Sequence, residues 1–100
     1  MIIYKISHES WFFTKTCKIK VKSDNPEVLD IVKRLSSNHI SSSVFSCGNN
    51  DGGLMLHCLN WPTAENALDE IDKALSNSNL PDGTIVEIVQ INFHKLDISS

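Results

Sequence analysis

The stretch Lys15-Thr16-Cys17-Lys18-Ile19-Lys20-Val21-Lys22-Ser23-Asp24-Asn25-Pro26-Glu27-Val28-Leu29-Asp30-Ile31-Val32-Lys33-Arg34-Leu35 changes its period halfway along, and that change decides the fold. From Trp11 to Lys22 apolar and polar residues alternate. Phe13, Cys17, Ile19 and Val21 fall on one face, with Lys15 as an intruder. Thr14, Thr16, Lys18, Lys20 and Lys22 fall on the other. Period two is a strand with one buried face. At Ser23-Asp24-Asn25-Pro26-Glu27 the pattern breaks. Asn25 can cap a helix, Pro26 suits the first helical position, and Glu27 complements the positive helix end. Val28, Leu29, Ile31, Val32 and Leu35 then recur at helical spacing, which predicts a helix over 26–37.

Outward from that junction the other elements follow. Residues 40–59 read as a hairpin. Ile40, Val44, Phe45 and Cys47 stand in the first arm and Leu54, Met55, Leu56, Cys58 and Leu59 in the second. Between the arms lies a loop over 48–53 made of residues that tolerate positive φ. Asn60-Trp61-Pro62-Thr63 leads into a second helix over 64–77, with Thr63 as the expected cap and Ala64, Ala67, Leu68, Ile71 and Leu75 as its apolar stripe. Leu80-Pro81-Asp82-Gly83 is a turn. Thr84 to Leu96 reads as a last strand whose apolar run at 85–89 suits a central position, and Asp97–Ser100 as a loose tail. Ile2, Ile3, Tyr4 and Ile6 form a short N-terminal strand. Residues 2–22 fit one bent strand or a hairpin equally well.

The order is β-α-β-β-α-β with room for an extra N-terminal strand. The expected fold is therefore α+β: a ferredoxin-like sandwich with an antiparallel sheet and both helices on one face. The 100 residues make one domain, 1–100, long enough for a real core. Apolar residues are 41% and charged residues 21%, which excludes extended disorder.

The net charge is −3, and nucleic-acid binders draw affinity from a basic excess, so nucleic acid is disfavoured as a ligand. The N-terminus lacks the apolar stretch of a signal peptide, and no run is long enough to span a membrane. Three cysteines, Cys17, Cys47 and Cys58, are an odd number for a secreted scaffold. These features point to the cytoplasm, with reduced thiols.

No motif assembles a catalytic constellation, so no catalytic residue is assigned. His57 and Cys58 are strand neighbours pointing to opposite faces, so they cannot easily share a metal; neither a metal nor a cofactor is expected. The loop 48–53 has the wrong spacing for a phosphate cradle. Lys18, Lys20 and Lys22 line one strand face, but stacking aromatics are missing beside them. That face reads as solvated or as a protected edge. Glu65, Asp69 and Asp72 form an acidic stripe on the second helix, beside Glu70. It is either an ordinary wet face or a docking surface, which Asp51 extends only if the hairpin tip folds towards it. Trp11 and Trp61 lie at element junctions, where Trp serves as a plug or as a binding anchor. In Trp11-Phe12-Phe13 at least one ring needs cover from elsewhere.

A short single domain with an acidic balance, Asn- and Ser-rich loops and no catalytic motif resembles the small immunity proteins of bacterial toxin–immunity systems, including contact-dependent growth inhibition. The resemblance implies a basic protein partner, a nuclease-type toxin domain, blocked at its active site through complementary charge. Glu65, Asp69, Asp72, Asp51, Trp61 and Trp11 are the candidate contacts. The alternatives are a ferredoxin-like small-ligand-binding or regulatory domain, or a small cofactor-free enzyme of the dimeric α+β barrel kind with a His base in a pocket between sheet and helices.

Overall fold

The computed structural model describes residues 1–38 and 44–93. The expectations for Ile40, for the end of the last strand at Leu96 and for the tail Asp97–Ser100 lie outside the described residues. In chain order the elements are β1 (Ile3–Glu9), β2 (Cys17–Ser23), α1 (Pro26–Asn38), β3 (Val44–Asn50), β4 (Gly53–Cys58), α2 (Trp61–Ser76) and β5 (Ile85–Ile91). The five strands form one sheet in the order β1-β5-β2-β4-β3.

The helices begin where side chains satisfy their first amides. Asn25 Oδ1 accepts the Glu27 amide at 3.0 Å, capping α1 ahead of Pro26. The second helix starts earlier than expected. Asn60, not Thr63, is its cap, and Thr63 is the third helical residue of a reciprocal capping box. Pro62 in the first turn carries the signal: a proline there needs no amide partner, so the cap has to precede it. Val28, Ile31 and Val32 of α1 and Ala64, Ala67, Ile71 and Leu75 of α2 are buried against Ile19, Val21, Leu54 and Leu56 of the sheet. Each fully buried aliphatic side chain contributes roughly 1.5–3 kcal/mol relative to exposure. Both helices touch each other and pack on β2, β3 and β4, so they share one face.

The hairpin is tighter than its sequence suggested. Asn50 pairs with Gly53, leaving a two-residue turn. Asp51 and Gly52 both have positive φ, 49° and 78°, the pattern that matches strand twist in the tightest hairpins. Gly53 is required for a different reason: a Cβ there would lie 2.4 Å from the Val21 carbonyl oxygen.

Three expectations about the sheet need correction. The sheet is mixed rather than antiparallel, because β1 runs parallel to β5. Residues 2–22 are neither one strand nor a hairpin, because β5 lies between β1 and β2 and pairs with both. The strand expected from Trp11 begins only at Cys17, and residues 11–16 form the loop that crosses the end of β5. The apolar run of β5 does occupy an interior position in the sheet.

Candidate functional site

The two ends of the crossing loop are joined by one side chain. At the end of β5, Asn92 turns into the left-handed region at φ 60°, which Asn tolerates better than most residues. Its Oδ1 accepts the Trp11 amide at 2.8 Å. Its Nδ2 donates to the Thr14 carbonyl at 2.8 Å and more loosely to those of Thr16 and Trp11. The Asn92 amide donates to the Glu9 carbonyl at 2.9 Å, and Cys17 Sγ donates to the Asn92 carbonyl at 3.2 Å. A buried amide side chain therefore fixes both ends of a seven-residue crossing, Ser10 to Thr16, that no ladder supports.

This loop folds over the sheet face opposite the helices. Residues paired across strands point to the same side, so Lys18, Ile91 and His57 share that face. Lys18 is only 7% exposed. Its ammonium donates to Thr14 Oγ1 at 2.8 Å and Thr16 Oγ1 at 3.0 Å, and lies 5.5 Å from the centre of the Trp11 ring. The Lys18 position is thus neither a solvated face nor an edge, and an aromatic does stand beside it, supplied by the loop. Burial, then the Lys18 charge, lowers the His57 pKa below its ordinary 6.5.

With the loop pinned, its aromatic residues are presented outward. Phe12 is 97% exposed, Phe13 103% and Trp11 40%. The cover expected for the Trp11-Phe12-Phe13 run is not supplied to the two phenylalanines. Trp11 Nε1 donates to Glu9 Oε1 at 2.8 Å, which orients the indole. A cavity of about 820 Å³ opens between the loop and the β4–α2 junction, with Trp11, Phe12, Lys15, Cys17, Leu59, Trp61 and Asn92 in its walls. The two tryptophans, 50 positions apart in sequence, therefore line one cavity. Leu59 is 65% exposed on its rim.

The acidic candidates divide. Glu65 and Asp69 are exposed on α2, and Glu65 stands one turn along from Trp61. Asp72 is engaged within the molecule. It accepts the Tyr4 hydroxyl at 2.6 Å and so ties β1 to α2. Burial, and then this bond, raises the Tyr4 pKa well above its ordinary 10.0. Asp51 lies 3.6 Å from Lys20, a residue of the face opposite the helices, so the hairpin tip does not extend the α2 stripe.

Cys17, Cys47 and Cys58 are free thiols. Cys17 and Cys58 are direct cross-strand partners on the helix face. Burial pushes the Cys17 thiol up; burial, and next the neighbouring Cys17, pushes Cys58 up to about 12. Neither is an activated nucleophile. Of the described histidines, His8 and His57, neither lines the cavity. Among the described residues there is no cluster of three His, Cys, Asp or Glu side chains that could hold a metal, and no helix is long and apolar enough to cross a membrane. Comparison with family models, curated proteins and solved structures finds no match.

Proposed function

We propose that this chain is a non-catalytic protein-binding module of the immunity type, which blocks a basic, nuclease-type toxin domain by covering its active site. The observation that carries the proposal is the pair of fully exposed rings, Phe12 and Phe13, on a loop that Asn92 holds in place. A pinned loop presents these rings at little ordering cost, and exposed aromatics beside a cavity are the composition of a binding anchor. The acidic Glu65 and Asp69 lie on α2, whose first residue, Trp61, is in the cavity wall together with Lys15 of the loop. An apolar centre with carboxylates on the adjoining helix fits a partner whose active-site cleft is basic to receive nucleic acid. Free thiols suit a cytoplasmic setting. The scaffold reading is ferredoxin-like over residues 17–91: β2-α1-β3-β4-α2-β5, with β5-β2-β4-β3 as neighbours and β1 added outside β5.

The test starts from the partner captured by the full chain and identified by mass spectrometry. A basic nuclease domain should be inhibited stoichiometrically. Phe12→Ser with Phe13→Ser should speed dissociation, while Glu65→Lys with Asp69→Lys should slow association and flatten its salt dependence. Asp72 is left unchanged because it holds Tyr4. Binding unaffected by both pairs of substitutions would overturn this surface, and capture of no basic partner would overturn the immunity reading.

A second reading rests on the cavity itself. About 820 Å³ with aromatic walls is the size of a small-molecule site. Phe13 is outside its lining, so the two readings part at that residue. A small apolar ligand should bind Phe13→Ser as well as the parent chain and be lost in Trp61→Ala, whereas protein docking should weaken in both.

A further inference from the structure

Among the described residues the two edges of the sheet differ. On β3 the pairing with β4 is irregular between Val44 and Ser46, and such a bulge discourages further strand addition. On β1 the register with β5 is unbroken over seven residues, Ile3 to Glu9, without a proline or a bulge. In a parallel ladder alternate residues turn both backbone groups to the neighbour. The Met1 and Glu9 carbonyls accept from Gly83 and Asn92, and the Ile3 amide donates to Thr84, so the odd-numbered residues face β5. Tyr4, Ile6 and His8 therefore direct their N–H and C=O groups outward. Ile6, between them, is 55% exposed although it lies on the helix side of the sheet.

We infer that β1 is an interface for a second copy of this chain, pairing antiparallel with its counterpart about a two-fold axis at Ser7. A two-fold axis makes paired edge strands antiparallel. The outward groups meet only in registers that set even-numbered residues against even-numbered ones. Among these, the register centred on Ser7 places each Lys5 directly opposite Glu9 of the other copy, giving two cross-strand ion pairs, and sets Ile6 against His8. Centring on Ile6 instead sets Lys5 against Ser7 and Glu9 against Ile3, and loses both direct pairs. Glu9 retains an oxygen for this contact, since Trp11 Nε1 takes only Oε1. The helices pack mainly over β2, β3 and β4 and reach β1 at Tyr4, whose hydroxyl meets Asp72, so a sheet continued past β1 extends beyond the helix layer. The inference is independent of docking at the aromatic end.

Sedimentation equilibrium of the whole chain should show the mass double as concentration rises. In the same range, hydrogen exchange should slow selectively at the Ile6 and His8 amides, while Lys5, Ser7 and Glu9, already paired with β5, should not change. Ser7→Lys sets two like charges face to face on the axis and should abolish the doubled mass with the circular dichroism spectrum unchanged. Lys5→Glu should weaken association at least several-fold, and adding Glu9→Lys should restore it. A mass that stays monomeric at the highest soluble concentration would overturn the inference. So would a dimer that survives Ser7→Lys but is lost in Phe12→Ser with Phe13→Ser, which would assign association to the aromatic end.

Discussion

The two faces of the sheet are both covered, but by different physics. On the helix face, Ile19, Val21, Leu54, Leu56, Val86 and Ile88 meet apolar stripes of α1 and α2. The cover there is hydrophobic, spread over many residues and written in the period of each element. On the opposite face, near Lys18 and Ile91, the cover is a loop without regular structure. It is held by the hydrogen bonds of two side chains, Asn92 and Lys18, and it encloses an ammonium group rather than an aliphatic one. A core distributed over many contacts loses stability in proportion to what is removed. A loop hung on a few polar bonds fails locally.

The largest expected effect tests the helix face. Ile71 is fully buried between α2 and the sheet. Ile71→Ala should lower global stability by about 3–4 kcal/mol, measured by urea unfolding, because the cavity adds to the lost transfer energy. A loss below about 1 kcal/mol would mean that the helix layer is loosely packed and that the contrast between faces is false.

Asn92→Ala should cost less overall, about 2 kcal/mol, while acting almost wholly on the loop. The Trp11 amide and three carbonyls lose their partner, and alanine is strained at φ 60°. Trp11 fluorescence should shift to the red, and amide exchange should quicken over residues 10–16 but not in α1 or α2. Asn92→Gly relieves the strain without restoring the side-chain bonds. It should recover roughly 1 kcal/mol of stability and none of the loop protection. If Asn92→Ala instead weakens the whole sheet uniformly, Asn92 is part of the core rather than a local clasp.

The same contrast explains what could be read from sequence. Cys17, Ile19 and Val21 announce their face by alternation, and the stripes of Val28, Ile31 and Val32 and of Ala64, Ala67, Ile71 and Leu75 announce theirs. Burial by periodicity is a local pattern, so it is legible. The placement of β1 outside β5 is a choice of long-range partner, and nothing in Ile3-Tyr4-Lys5-Ile6 distinguishes pairing with β5 from pairing with β2. Asn92 carries no local flag either: its role depends on carbonyls at Trp11, Thr14 and Thr16, more than 70 positions away. The aromatic run at 11–13 was visible as an irregularity, since three consecutive rings cannot share one strand face. Its meeting with Trp61 was not legible, because it needs the crossing loop and the α2 start to converge. The α2 start was expected at 64 with Thr63 as cap although Pro62 pointed to an earlier one, while the acidic spacing of Glu65, Asp69 and Asp72 was readable. The internal use of Asp72 by Tyr4 was not, because that follows from where β1 lies.

The smallest expected effect sharpens the comparison at His57, on the loop-covered face opposite Lys18 in the β2–β4 ladder. Burial, and secondarily the Lys18 charge, holds its pKa below 6.5. The unfolded chain therefore binds more protons at this position between the lowered pKa and 6.5. Stability should be complete above pH 6.5 at this residue and decline as the pH falls through that window. His57→Gln should remove this part of the acid loss, read as a shallower fall in unfolding midpoint between neutral and mildly acidic pH. An NMR titration of the His57 ring protons separates the two causes. Lys18→Met deletes the charge but keeps an apolar stem under the loop, so the His57 pKa should rise only part of the way towards 6.5. A full return to 6.5 would make charge, not burial, the dominant cause. A parent chain whose His57 already titrates at 6.5 or above would show that water reaches this face freely, and the loop would then be a cover in outline only.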